Sequence, residues 1–278
     1  MIDRLPRHAA WIAAVFGIAS ACATDAPARS KDEMEQAIRA LLVASPYRIS
    51  DAARAGTIRY RVELRDGSIW NWPETAEQHV AQHGDATELT ICADCGHEPA
   101  PDEAELQRYL QPNAWVQSRD RHVIDFARVA NGGSIDSKMR VLILAIQKHM
   151  NGAIDFREYQ TAVQALKSRG GDCTEYAVLL AAAARARGIP TRVVAGLSYA
   201  SQFLGQRHAF SPHMWVQAWN GTRWVSYDAA LDHFDAGHIA IAMGDGSPES
   251  LRGTTRTIGR LKILDAAGVL PAREDMPH

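Results

Sequence analysis

Apolar residues recur at helical spacing over residues 31–44, where Met34, Ala37, Ile38, Leu41 and Leu42 share one face and Pro46 ends the run. The period then changes. Ile58, Tyr60, Val62 and Leu64 alternate with polar residues, Asp66-Gly67 supplies a turn, and Ile69 resumes, so the pattern predicts a hairpin over residues 57–72. Residues 88–91 read as another strand, which ends at Cys92-Ala-Asp-Cys95. A Pro- and acid-rich stretch over residues 97–105 then marks a boundary. Beyond it the spacing predicts helices over 123–130, 134–150, 159–168 and 174–187, the last preceded by Gly170-Gly171 and closed by Gly188 and Pro190. Alternation returns over 191–197, 213–219 and 223–227, with Asn220-Gly221 as a strong hairpin turn, and a last strand is expected over 261–264. Helices followed by antiparallel strands predict an α+β fold.

The first residues carry a different pattern. Asp3, Arg4 and Arg7 precede an uncharged stretch over 9–23, and small residues Ala19-Ser20-Ala21 lead to Cys22. A short charged start, an apolar middle and a small-residue cut site describe a secretory signal over residues 1–21. Two outcomes compete: ordinary cleavage, or lipidation of Cys22 as in a bacterial lipoprotein box. Both place the rest of the chain in the cell envelope, as a periplasmic protein with or without an outer-membrane lipid anchor. The expected organisation is a linker and short helix over 22–45, a small β-rich unit over 46–96, a catalytic domain over 105–264 and a tail over 265–278.

Composition narrows the function classes. Of 278 residues, 46% are hydrophobic and 22% charged, an ordinary globular balance. The formal charge is −2, from 30 Lys+Arg against 32 Asp+Glu, so the strong basic field that nucleic acid needs is missing and nucleic acid is not expected as a partner. No uncharged stretch reaches the roughly 20 apolar residues of a spanning helix, which excludes a multispanning membrane protein.

The four cysteines have separate prospects. Cys92 and Cys95, with His97 close behind, read first as a local disulfide in an oxidising compartment, and otherwise as half a zinc site or a redox pair. Pairing them leaves Cys173 as an unpaired thiol in an exported protein.

Cys173 lies in Gly170-Gly171-Asp172-Cys173-Thr174-Glu175. Asp172 suits the N-cap and Glu175 completes a capping box, so Cys173 opens a helix. The helix start favours thiolate, Asp172 opposes it, and a histidine partner would tip the balance toward thiolate. Taken alone, Cys173 reads as a buried helix-start cysteine, His213 as a polar residue at a strand start and Asp228 as a turn residue. Centring a hairpin on Asn220-Gly221 changes that reading. It sets His213 directly opposite Asp228 on one face, with side chains about 5 Å apart. A carboxylate could then hold one ring nitrogen while the other faces a thiol. Cys173, His213 and Asp228 thus form a candidate triad of nucleophile, base and orienting acid, with the Cys173 N–H as an oxyanion donor.

Residues 105–262 resemble the transglutaminase-like superfamily, in particular its bacterial members. The matching stretches are LKSRGGDCTEYAVLLAAAARARGIPTRVVAGL, HMWVQAWNGTRWVSYDAAL and GHIAI. The resemblance implies a papain-like core, with a cysteine-bearing helix packed on an antiparallel sheet that carries His and Asp. It assigns the same roles to Cys173, His213 and Asp228. The activity implied is that of a thiol protease, amidase or acyltransferase acting on a protein or peptide through a thioester, with hydrolysis slightly ahead of transamidation. A catalytically silent envelope scaffold is the alternative. No cofactor and no metal ligand set are expected; Asp232, His233 and Asp235 read as loop residues. Residues 199–212 read as a cleft-side loop, and Trp70, Trp72, Trp215 and Trp219 as core first.

Overall fold

The computed structural model describes residues 30–150, 152, 156 and 159–269. The expected signal segment 1–21 and the candidate lipidation site Cys22 lie outside the described residues. In chain order the elements are α1 (Lys31–Arg39), β1 (Val43–Ala44), α2 (Asp51–Arg54), β2 (Thr57–Leu64), β3 (Gln78–His83) and β4 (Ala86–Ile91). Then come α3 (Glu103–Arg108), α4 (Arg121–Ala127), α5 (Ile135–His149), α6 (Ala162–Ser168) and α7 (Cys173–Ala186). The chain finishes with β5 (Thr191–Phe203), β6 (Gln206–Trp219), β7 (Trp224–Tyr227), β8 (His238–Gly244), α8 (Thr254–Ile258) and β9 (Leu261–Val269). The class is α+β, with two antiparallel sheets.

The larger sheet has the order β1-β6-β5-β8, and β7 also pairs with β6. Helix α7 packs against β5 and β6, with α4, α5 and α6 around it. Its residues Ala177 to Ala184 are all buried, which explains an apolar run with no polar face. Short alanines in that run let the helix lie close to the sheet. The smaller sheet has the order β3-β4-β2-β9. Its inward residues Ile58, Tyr60 and Val62 join the same core as Phe210 and Ile239 of the larger sheet. Tyr60 crosses between the sheets: its ring meets Phe210 edge-on at 5.5 Å and its hydroxyl donates to the Ala236 carbonyl at 2.7 Å.

Local patterns locate most elements, but several pairings differ from the expectation. No hairpin forms over residues 57–72. Strand β2 instead lies between β4 and β9, with Ile58 opposite Ile91 on one side and Gly268 on the other. The alternation reported a half-buried strand correctly, and the partner was supplied from far along the chain. The last strand runs to Val269, so residues 265–269 belong to the sheet rather than to a tail. Residues 199–212 are not a separate loop. They extend β5 and β6 into a long hairpin that turns at Leu204-Gly205, both at positive φ (47° and 80°).

Candidate active site

Three elements build the site: the start of α7, the middle of β6 and the segment after β7. At the helix start, Asp172 accepts from the Thr174 N–H at 2.9 Å, and Glu175 returns to accept the Asp172 N–H at 2.9 Å. This is the capping box read from the sequence. It fixes Cys173 at the first helical position, where its own N–H is one of the donors a helix leaves unpaired. Cys173 is a free thiol and half-buried. Burial and the negative charge of Asp172 push that thiol well above its ordinary value, and the Met214 N–H bonded to the sulfur offsets only part of this. Burial and Asp172 thus act against the helix start at this sulfur. The same two causes act on Glu175, whose carboxyl is raised to about 8 by burial and then by Asp172.

His213 lies on β6 opposite Gly196 of β5. Gly196 is needed there. A Cβ at that position would sit 2.0 Å from the Ile239 carbonyl oxygen, so any side chain would force β8 away from β5. The His213 ring is 5% exposed and stacks on Trp215 at 6.1 Å, the i+2 neighbour on the same face. Its Nε2 lies 2.6 Å from Asp228 Oδ2, which leaves Nδ1 outside that bond. Cys173 and His213 line the same cleft, a cavity of about 180 Å³ also walled by Ile38, Phe156, Tyr176 and Phe203.

The register that brings His213 to Asp228 is not the one the Asn-Gly turn predicts. Trp219 pairs with Trp224 and Val216 with Tyr227, where a two-residue turn would have set Val225 opposite Val216. The loop is longer because Asn220 accepts from the N–H groups of both Thr222 and Arg223, at 3.0 Å each. The shift is an even number of residues, so Asp228 stays on the His213 face and reaches it diagonally rather than directly.

Asp228 is fully buried and accepts four hydrogen bonds. Oδ2 takes His213 and, at 3.1 Å, His238 Nε2; Oδ1 takes the N–H groups of Ala230 and Leu231 at 2.8 and 3.0 Å. Burial opposes its charge, but His213, His238 and their hydrogen bonds outweigh it and hold the carboxyl far below the usual range. His238 escaped the sequence reading, although it is the second residue of the GHIAI stretch that carried part of the resemblance. Burial opposes its protonation too, yet its hydrogen bonds to the Asp228 and Asp235 carboxylates raise it to about 9. Asp235 is in turn held by Arg54 at 2.6 Å. At neutral pH a charged His238 therefore anchors the far side of Asp228 between two carboxylates.

The remaining expected positions lie elsewhere. Cys92 and Cys95 form a disulfide with Cα atoms 5.8 Å apart, outside the cleft. Asp232, His233 and Asp235 do not converge on a metal geometry; Asp235 serves Arg54 and His238. Trp215 and Trp72 are buried, and Trp70 donates to the Ile241 carbonyl at 3.0 Å. Among the described residues, no helix is long and apolar enough to cross a membrane.

Residues 129–229 match the model of the Transglutaminase-like superfamily. No curated protein matches the chain. Among solved structures, the chain is similar to a candidate cysteine protease from Cytophaga hutchinsonii, at 15% identity over 78% of this chain and 84% of that one, with a TM-score of 0.45. It is also similar to the periplasmic domain of TgpA from Pseudomonas aeruginosa, at 21% identity, 68% and 75% coverage and a TM-score of 0.45. Red sea bream transglutaminase follows at 12% identity, 79% and 53% coverage and a TM-score of 0.35. The matched stretch, residues 129–229, includes Cys173, His213 and Asp228.

Proposed function

We propose that this chain is an exported thiol enzyme that cleaves or transfers amide acyl groups of a protein or peptide through Cys173, His213 and Asp228. The observation that carries the reading is the 2.6 Å contact of a buried His213 Nε2 with Asp228, with His213 and Cys173 lining one cleft. Asp228 holds Nε2 as its protonated nitrogen and stabilises the imidazolium. His213 Nδ1 then accepts the thiol proton as sulfur attacks the acyl carbon. The Cys173 N–H donates to the oxyanion, the C–N bond breaks, and the amine leaves with the proton from His213. Water or a second amine resolves the thioester, and hydrolysis is the favoured outcome. Burial and Asp172 both raise the thiol, so in this reading His213 acts as a general base during attack.

That same elevated thiol is the one observation favouring a catalytically silent envelope scaffold, so a single set of measurements decides between them. Peptide and amide substrates are profiled on wild type and Cys173→Ala, with and without a primary amine, alongside iodoacetamide labelling of wild type and His213→Ala. Turnover lost in Cys173→Ala, with labelling slowed in His213→Ala, supports the enzyme. Equal slow labelling of both proteins and no turnover in wild type support the scaffold. Amine incorporation would move the favoured reaction from hydrolysis to transfer. Export follows from the signal pattern and is tested by the mass of the processed N-terminus, which also reports whether Cys22 carries lipid.

A further inference from the structure

Away from the cleft, the smaller unit gathers a second set of imidazoles around a carboxylate. One ring nitrogen each from His79 and His97 and one carboxylate oxygen of Glu74 lie within 4.8 Å of one another. We propose that these three side chains bind a divalent metal ion of borderline softness, with zinc the best fit.

Donor chemistry comes first. Two neutral imidazoles and a carboxylate suit zinc and its neighbours, whereas calcium and magnesium take oxygen ligands. Geometry comes second. Zinc bonds of about 2.0–2.1 Å in a tetrahedron set ligand atoms about 3.3 Å apart. His79 Nδ1 and Glu74 Oε1 stand 3.1 Å apart already, and the two imidazoles meet edge to face with centroids 5.7 Å apart. A rotation of the exposed His97 ring closes the set. Three protein ligands leave a fourth position for water or an external ligand.

The backbone around the cluster is held as a metal site requires. Glu74 is oriented by the N–H of Val80 on Oε2 and the N–H of His97 on Oε1, each at 2.8 Å. The turn that presents His97 is tied down by the Cys92–Cys95 disulfide and by the N–H groups of Cys95 and Gly96, both donating to the Ala76 carbonyl. Gly96 is obligatory, since a Cβ there would lie 1.8 Å from the Thr75 carbonyl oxygen. The side chains stay open to solvent, 43% for His79 and 30% for Glu74, so an ion can enter. In the sequence the C-x-x-C reads first as a disulfide and otherwise as half a zinc site or a redox pair. Pairing removes both thiols, and His97 finds its partners across the turn instead.

Bound metal would clip the Glu74 segment to the residue preceding Glu98, whose carboxylate pairs with the buried Arg192 of β5 at 2.6 Å. Zinc should therefore stabilise the whole fold, because an ion that binds only the folded state raises its stability.

The test uses the full, oxidised chain without a histidine tag. Zinc affinity is read by competition with a chromogenic chelator, cobalt absorption reports the ligand field, and Tm is measured with and without zinc. Wild type and Cys173→Ala should bind one equivalent with equal affinity and gain Tm. His79→Ala and His97→Ala should bind at least about tenfold more weakly, since even supporting residues around a metal are worth that much, and should lose the Tm gain. The proposal is overturned if wild type binds no zinc, if His97→Ala binds as wild type does, or if Cys173→Ala abolishes binding, which would put the ion in the cleft. Should His79→Ala fall apart, the exposed His97→Ala and the isosteric Glu74→Gln carry the decision.

Discussion

The chain contains two clusters of the same composition, one carboxylate between two histidines, in opposite surroundings. His213, Asp228 and His238 are all buried; Glu74, His79 and His97 are half-buried or exposed. In the first, every lone pair of the carboxylate is engaged and His238 is raised to about 9, so one imidazole is locked as a cation and has no nitrogen to offer a metal. His213, by contrast, lines the cleft beside Cys173. In the second, solvent screens the charges, the rings can turn, and nitrogen lone pairs stay available. Burial converts a ligand set into an acid–base device; exposure leaves it a ligand set. Each depends on a glycine that lets backbones touch, Gly196 against Ile239 in one and Gly96 against Thr75 in the other.

The comparison breaks most visibly at the buried cluster. Cys173→Ala and His213→Ala should each reduce turnover on the order of 10⁴-fold or more, measured as kcat/KM on a peptide substrate, while thermal stability changes little for Cys173→Ala. Asp228→Asn should lower kcat on the order of 10³–10⁴-fold by allowing the wrong His213 tautomer. It should also destabilise the fold by about 3–5 kcal/mol, because the cationic His238 loses its buried counter-charge; urea denaturation reads this second effect.

His238→Gln sharpens the contrast by removing the cation without touching the cleft. A histidine raised from 6.5 to about 9 contributes stability that is complete below the lower value and is lost as pH climbs through the higher. Wild type should therefore lose up to about 3 kcal/mol between neutral and alkaline pH from this group. The variant should show a flatter profile over that window and a kcat about tenfold lower. A profile identical to wild type would mean that His238 is not protonated in the fold. At the exposed cluster, His97→Ala in the presence of a chelator should change stability by no more than about 0.5 kcal/mol, the smallest effect of the series.

How far the site was legible depends on the range of the interaction. The Asp172 cap and the Glu175 return contact sit within one turn of Cys173, so the residue types alone place the sulfur at a helix start. The meeting of His213 with Asp228 was readable for a subtler reason. Side chains on a strand alternate with a period of two, so an error of two residues in the turn left both groups on one face. His238 was not readable, because nothing within its own strand says that β8 will lie beside β5. The direction of the Cys173 shift was also out of reach: a helix start and a neighbouring carboxylate oppose each other, and only the depth of burial decides.

What the amino-acid order settled by itself is local: caps, periods, the α+β succession and the identity of the groups capable of chemistry. Tertiary structure alone chose β9 as the partner of β2, brought His79 and Glu74 to His97, and delivered a second imidazole to Asp228. Propensity and periodicity act over a few residues, whereas sheet order and the dielectric around a charge are set by which distant segments pack together. Those last two quantities make one carboxylate a candidate orienting acid and the other a candidate metal ligand.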